Sequence, residues 1–270
     1  MKEICIVILN YMNFAETIQC VDSVLGQREC NFHIIVVDNG SDNESFMHLN
    51  KKYRYNSLIT IVHTNKNYGF AKGNNVGISY ARRRYNAEYV LLLNSDTVLC
   101  DKLYLKKMID ADERGIGVIG SKIYLLNGKE QSNYYEYVDF PGTLYRYLSL
   151  WAAKSGWDEA EKCFQRKLKS FKPIRILHGC VLLLTPEFFN YYAGLYDRTF
   201  LYGEEILLFL ACKKVGIKEK EIDNTYLIHK AGQSSRILYS NRNSIREKLT
   251  LKSYKYIVWE SFKLFKKEIF

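Results

Sequence analysis

Proline is scarce in this sequence: Pro141, Pro173 and Pro186 are the only three in 270 residues, and no Gly/Ser/Pro-rich tract interrupts the chain. A linker signature is therefore missing, and the length suits one large domain. No apolar run approaches the roughly 18 residues needed to cross a bilayer. Glu3 falls inside the first apolar run, so the N-terminus carries no secretory leader pattern. No C-x-x-C pair occurs among Cys5, Cys20, Cys30, Cys100, Cys163, Cys180 and Cys212. An odd number of cysteines, several in apolar stretches, argues against a disulfide scaffold or zinc site and for reduced thiols in the cytoplasm. The turn after the first apolar run, Asn10 to Ala15, has no glycine, which excludes a dinucleotide fingerprint, and the Walker pattern is missing too. No RNA-recognition or zinc-finger signature occurs, so nucleic acid is not an expected partner.

What is there is a regular alternation. Compact apolar runs at Ile4–Leu9, Ile34–Val37, Ile59–Val62 and Val90–Leu93 read as strands covered on both faces. Helical patterns of about 14–25, 44–55 and 71–85 separate them, which predicts an α/β fold with a mostly parallel central sheet flanked by helices. Each run ends in a polar cluster: Asn10-Tyr11, Asp38-Asn39-Gly40-Ser41-Asp42, Thr64 to Gly69, and Asn94-Ser95-Asp96. In such sheets ligands bind beyond the carboxyl ends of the strands, and short polar groups there suit a nucleotide base and ribose. Asp96, released after four apolar residues, sits where a phosphate-bound metal would be held, although Ser and Asp also cap helices and a helical pattern follows from Leu103. Without a glycine loop, a bound diphosphate must be met by a metal and side chains.

The formal charge of +10 is concentrated at the end of the chain. Residues 241–270 hold eight Lys/Arg against three Glu, interleaved with Leu249, Tyr256, Ile257, Trp259, Phe262 and Phe265. This segment reads as a basic amphipathic helix that lies on an anionic membrane surface or packs on the domain with a basic outer face. The first reading makes the protein peripheral to the inner face of the cell membrane.

Asp38-Asn-Gly-Ser41, Asn67-Tyr-Gly-Phe-Ala-Lys-Gly-Asn-Asn-Val-Gly77 and Asn94-Ser-Asp96, in this order, resemble the inverting glycosyltransferases of family 2, of GT-A fold. The similarity runs to about residue 125 and resumes at His178-Gly-Cys180, Tyr202-Gly-Glu-Glu205, His229 to Ser235 and Tyr239 to Asn243. The G-F-A-x-G-N-N version is most similar to rhamnosyltransferase-like members, which use dTDP- or UDP-linked sugars. The resemblance implies a GT-A domain over 1–240, with a nucleotide-sugar-binding half (1–125) and an acceptor-side half (126–240). It implies nucleotide contacts from Asn10, Tyr11, Asp38, Asn39, Ser41, Asn67, Asn74, Asn75, Ser95, Asp96 and Arg242. Asp96 would hold Mg2+ or Mn2+, with His229 as a second metal or phosphate contact. Asn94 stands where many relatives have Asp, one carboxylate fewer.

Glu205 matches the Asp of the family's Glu-Asp pair, which makes it the implied general base, with Glu204 in reserve. The bland reading of both is acidic residues in a first helical turn, answering the helix dipole. One base on the acceptor side and a stabilised leaving group opposite are what inversion requires. Tyr134 to Trp157 is rich in aromatics and contains a helical spacing at Leu144, Leu148, Trp151 and Ser155; this stretch belongs to the acceptor side. The implied partners are a nucleotide-sugar donor and a saccharide or lipid-linked saccharide of a bacterial surface polysaccharide. Two other readings remain open: an inactive nucleotide-sugar-binding scaffold, and a nucleotidyltransferase, whose glycine- and arginine-rich first loop is missing here.

Overall fold

The computed structural model describes residues 3–131, 134–230 and 243–269. The first half follows the alternation of the sequence: β1 (Glu3–Asn10), α1 (Phe14–Leu25), β2 (Asn31–Asp38), α2 (Ser45–Tyr53), β3 (Ile59–His63), α3 (Phe70–Tyr85), β4 (Tyr89–Asn94), β5 (Thr97–Leu99), α4 (Tyr104–Asp110) and β6 (Ile116–Leu125). The second half is β7 (Glu130–Gln131), β8 (Tyr134–Tyr137), α5 (Gly142–Lys154), α6 (Asp158–Leu168), β9 (Ile174–Leu177), β10 (Val181–Leu184), α7 (Pro186–Phe189), α8 (Glu204–Val215), β11 (Lys218–His229) and α9 (Asn243–Ile269).

The main sheet runs β3-β2-β1-β4-β10-β6-β11-β5, with β7 beside β6, while β8 and β9 form a separate ribbon. Strands β1 to β4 are parallel, as expected; β10 enters antiparallel between β4 and β6. The 174–184 stretch is thus two strands in different sheets, and its break at His178-Gly179-Cys180 lets the chain pass from one to the other.

Strand residues alternate between two apolar cores, as the period of two requires. Ile4, Ile6, Ile8, Ile34, Val36, Leu91 and Leu93 face α1, α2 and α4. Cys5, Val7, Ile35, Val37, Val90 and Leu92 face α3, α7 and α8. α1 meets the first core with Thr17, Cys20, Val21 and Val24, the i, i+3, i+4, i+7 spacing of one helical face. α3 lies close on the second: a Cβ at Gly77 would fall 2.3 Å from Val7 Cγ1. A third, smaller core joins Tyr137 and Ile176 to Ile206, Leu207, Leu210 and Ile257, so α8 and α9 pack together with the ribbon.

Candidate active site

Strand register sets the site. Across the carboxyl ends of the parallel strands, His63 pairs with Asp38 and Asp38 with Asn10, while Leu9 pairs with Asn94. The polar clusters therefore form one row at one sheet edge. β10, running the other way, starts at this edge: Asn94 N–H donates to the Cys180 carbonyl at 3.0 Å. β11 ends here, with His229 opposite Thr97.

Asp38 is fully buried and its two oxygens are filled from within the protein. Oδ1 accepts from Ser41 N–H at 3.1 Å and lies 2.9 Å from His63 Nδ1. Oδ2 accepts from Asn10 Nδ2 at 2.6 Å and Ser41 Oγ at 2.8 Å. His63 was invisible to motif reading, although its place at the end of the third apolar run, level with Asp38, is the signal that finds it. A donor that binds Asp38 displaces one of these partners.

The asparagines expected to line the nucleotide pocket also hold the loops around it. Asn39 gives both amide hydrogens, to Asn67 Oδ1 and the Gly69 carbonyl, each at 3.1 Å, and accepts from Tyr68 N–H. Asn67 Oδ1 also accepts from Gly69 N–H at 2.8 Å. Asn74 Nδ2 donates back to the Phe70 carbonyl, and Asn75 clamps the Leu195 backbone at 2.8 and 2.7 Å. A short amide that matches one peptide group is ideal for such clamping, so these four side chains hold the walls in place. Tyr11 and Ser95 lie on the same edge, Ser95 buried and Tyr11 partly exposed. Arg242 lies outside the described residues.

Asp96 is not a helix cap. It is followed by the short strand β5, and α4 begins only after a turn in which Asp101 accepts from Leu103 N–H at 2.9 Å. The β5–β11 pairing and a Lys230 N–H bond to the Asp96 carbonyl fix its position, and Lys230 Nζ ties this end of β11 to Glu16 and Gln19 of α1. As a result Asp96 Oδ1 lies 3.4 Å from His229 Nε2, both side chains buried. Cis ligands of an octahedral ion at about 2.1 Å are about 3 Å apart, so this oxygen and nitrogen fit two adjacent positions of a Mg2+ or Mn2+ ion. Among the described residues no group of three or more His, Cys, Asp or Glu is arranged around a metal. The remaining positions would fall to phosphate and water, as hard ions accept.

Behind His229 runs a relay that the sequence gave no hint of. One end of the Gln131 amide is 2.9 Å from His229 Nδ1, the other 3.0 Å from His178 Nε2. Burial, then the neighbouring His229, pushes the His178 pKa down to about 4, so this ring is neutral near pH 7. Its Nδ1 accepts from Cys180 N–H at 3.1 Å, which leaves the proton of the neutral ring on Nε2, facing the Gln131 amide.

The two glutamates open α8 after the left-handed pair Tyr202 (φ 74) and Gly203 (φ 90). They point to different places. Glu204 is held by Thr199 Oγ1 at 3.4 Å. Glu205 lies against Gly179, where a Cβ would come within 2.4 Å of its Oε1, and it accepts a bond from the Gly179 backbone. Burial raises the pKa of both, and for Glu204 the charge of Glu205 adds to it. Cys180, one residue on from Gly179, is the bridge between the halves: burial raises its thiol pKa first, and the carboxylates of Asp96 and Glu205 both raise it further. The turn 178–180 therefore separates an acidic group at the strand ends from an acidic group at the head of α8.

Comparisons with known proteins agree with this geometry. A hexosyltransferase of low-salt glycan biosynthesis, Agl10 of Haloferax volcanii, is 26% identical over 206 residues, 76% of this chain and 60% of its own length. The glycosyltransferase GlyG of Streptococcus pneumoniae is 25% identical over 150 residues, 55% of this chain and 45% of its own. The chain thus spans about half the length of these curated relatives. Among solved structures, Staphylococcus aureus TarS 1–349 shares the fold with TM-score 0.57 at 16% identity, over 97% of this chain and 71% of that one. A Pyrobaculum calidifontis mannosyltransferase in complex with GDP-Man and Mn2+ gives TM-score 0.57 at 12%, over 96% and 73%. Residues 4–184 match the model of glycosyl transferase family 2, and on that match, with the GT-A-like sheet and its strand-end site, the chain belongs to this family.

Proposed function

We propose that this protein is an inverting, metal-assisted glycosyltransferase. It moves a hexose or deoxyhexose, rhamnose among the candidates, from a dTDP- or UDP-linked donor to a hydroxyl of a saccharide or lipid-linked saccharide in surface-glycan synthesis. The observation that carries the reading is the pair of carboxylates, Asp96 and Glu205, either side of the 178–180 turn. Relatives and neighbours support the reaction class through their own names and complexes: a glycan hexosyltransferase, and structures holding UDP-GlcNAc or GDP-Man with Mn2+.

In this reading residues 1–125 form the donor half. Asp38, with Asn10 and Ser41, receives the base, and Tyr11 and Ser95 flank the nucleotide. Asp96 and His229 hold the Mg2+ or Mn2+ ion against the diphosphate; when bound, such an ion stabilises the charge of the departing nucleoside diphosphate. Residues 126–240 form the acceptor half, where Glu205 takes the proton of the attacking hydroxyl. Burial keeps that carboxylate more basic than an ordinary glutamate, and the Gly179 N–H aims it. Attack from the side opposite the diphosphate inverts the anomeric centre without a covalent intermediate. Glu204, turned to Thr199, supports the turn.

The test is nucleoside-diphosphate release across a panel of nucleotide sugars with Mn2+ and saccharide acceptors, comparing wild type with Glu205→Gln. Turnover by wild type, and at least 100-fold less by the variant with donor affinity retained, is the expected outcome. Donor binding without turnover in wild type under any metal favours the inactive scaffold, for which Asn94 and the Glu-Glu pair are the motive.

A further inference from the structure

The long helix α9 has two faces of different chemistry. Ser253, Ile257 and Ser261, four residues apart, are buried against the domain. On the opposite side Lys248, Lys252, Lys255, Trp259, Phe262 and Lys266 recur at alternating spacings of four and three, which keeps them in one line along the helix. The four lysines are exposed, Trp259 is 55% exposed and Phe262 40%. Lys263 borders the line with its Nζ 5.0 Å from the Trp259 ring centre. No acidic residue falls in this line; Glu260, at its flank, is paired with Lys263 at 2.9 Å.

We infer that α9 seats the protein on an anionic lipid surface through this line of lysines and aromatics. Lysines on a helix face meet the negative potential of acidic headgroups, while an indole and a phenyl ring between them reach the boundary between headgroups and acyl chains. A second copy of the chain would set lysine against lysine on the same face. The helix lies on the surface and does not cross it, for no described helix is long and apolar enough to span a bilayer.

The buried edge of the same helix touches the catalytic turn. Ser253 Oγ donates to the Leu201 carbonyl at 3.2 Å, and a Cβ at Gly203 would fall 2.8 Å from Ile257 Cδ1. Glu204 and Glu205 follow at once. The lipid plane then lies about one helix diameter, ~10 Å, from the turn that opens the acceptor side. This second step rests on the transferase reading: an acceptor placed there is carried by a membrane lipid, its sugar hydroxyl lifted a short way above the headgroups.

The full chain, without donor or acceptor, is floated with vesicles of phosphatidylglycerol and phosphatidylcholine and with vesicles of phosphatidylcholine alone. Binding to the anionic vesicles, weakened by salt, is expected. Each lysine near the surface is worth about fivefold in partitioning. Lys248→Gln/Lys252→Gln/Lys255→Gln should therefore bind on the order of a hundredfold more weakly, with an unchanged melting temperature. Trp259→Ser should lose both affinity and the blue shift of tryptophan emission on binding. Equal binding to both vesicle types, no binding at all, or binding indifferent to the lysine variant overturns the inference. So does self-association through this face, seen as a lysine- and Trp259-dependent dimer by light scattering. None of these outcomes involves turnover, so they leave the transferase reading untouched; conversely, lack of turnover leaves the vesicle result standing.

Discussion

Glu219→Gln offers a quantitative test of the buried acidic layer beneath the active site. Glu219, at the start of β11, accepts from Leu177 N–H at 3.1 Å, and its pKa is pushed from 4.5 to about 7, by burial first and then by the charge of Glu205. A carboxyl whose folded pKa is raised stays protonated in the native state while the unfolded chain ionises. Its stabilising contribution is complete below about 4.5 and is lost as pH rises towards and through about 7. A rise from 4.5 to about 7 corresponds to about 3 kcal/mol, most of it lost between pH 5 and pH 8.5. Glutamine keeps an acceptor for Leu177 and cannot ionise. The variant should therefore gain about 2–3 kcal/mol relative to wild type over that interval, a relative rise of roughly 5–10 °C in melting temperature. Urea unfolding of both proteins at half-unit pH steps measures this. A stability difference independent of pH, or one that falls as pH rises, refutes the placement of Glu219 as a buried, repelled carboxylate.

Asp96→Ala should weaken Mn2+-dependent binding of UDP or dTDP by at least tenfold in calorimetry while leaving metal-free binding little changed; equal loss in both conditions moves the metal elsewhere. Gly179→Ala should cut kcat by about 100-fold or more with little change in donor affinity, since the new methyl falls 2.4 Å from Glu205 Oε1 and displaces the base; near-normal turnover would take the base role from Glu205. Gly77→Ala, which drives a methyl to 2.3 Å from Val7 Cγ1, should cost about 1–3 kcal/mol of stability by pushing α3 off the sheet, measured by urea unfolding.

Strand existence and direction in the first half were legible because strands buried on both faces leave unbroken apolar runs, and helices with one apolar face leave a period near 3.6. Asp96, Glu205 and His229 stood out as polar residues directly after or before such runs. What a run cannot show is which polar side chain is already taken. Asn39, Asn67, Asn74 and Asn75 read like pocket lining, and each also bonds backbone or a neighbouring amide. Gln131 and His63 depend on strand register, which pairs residues 98 and 25 positions away in sequence and leaves no local pattern. α6 was missed for a related reason: it buries no residue fully, and its thin stripe of Ala160, Phe164 and Leu168 is lost among charged residues.

The antiparallel entry of β10 has a consequence for how such a chain can change. β6 and β10 are hydrogen-bonded neighbours, yet 55 residues lie between Leu125 and Val181. The excursion leaves the sheet and returns beside its point of departure, pinched by the β8–β9 ribbon, with α5 and α6 held beyond that pinch. It is built like a cassette in a socket: the α5–α6 portion lies outside the strands that carry Asp38, Asp96 and the turn at Gly179, and Phe140 at its base packs on Phe262 and Phe265 of α9. A chimera that trades residues 140–172 for the equivalent excursion of a relative would test whether that excursion chooses the acceptor while the strand-end site stays as it is.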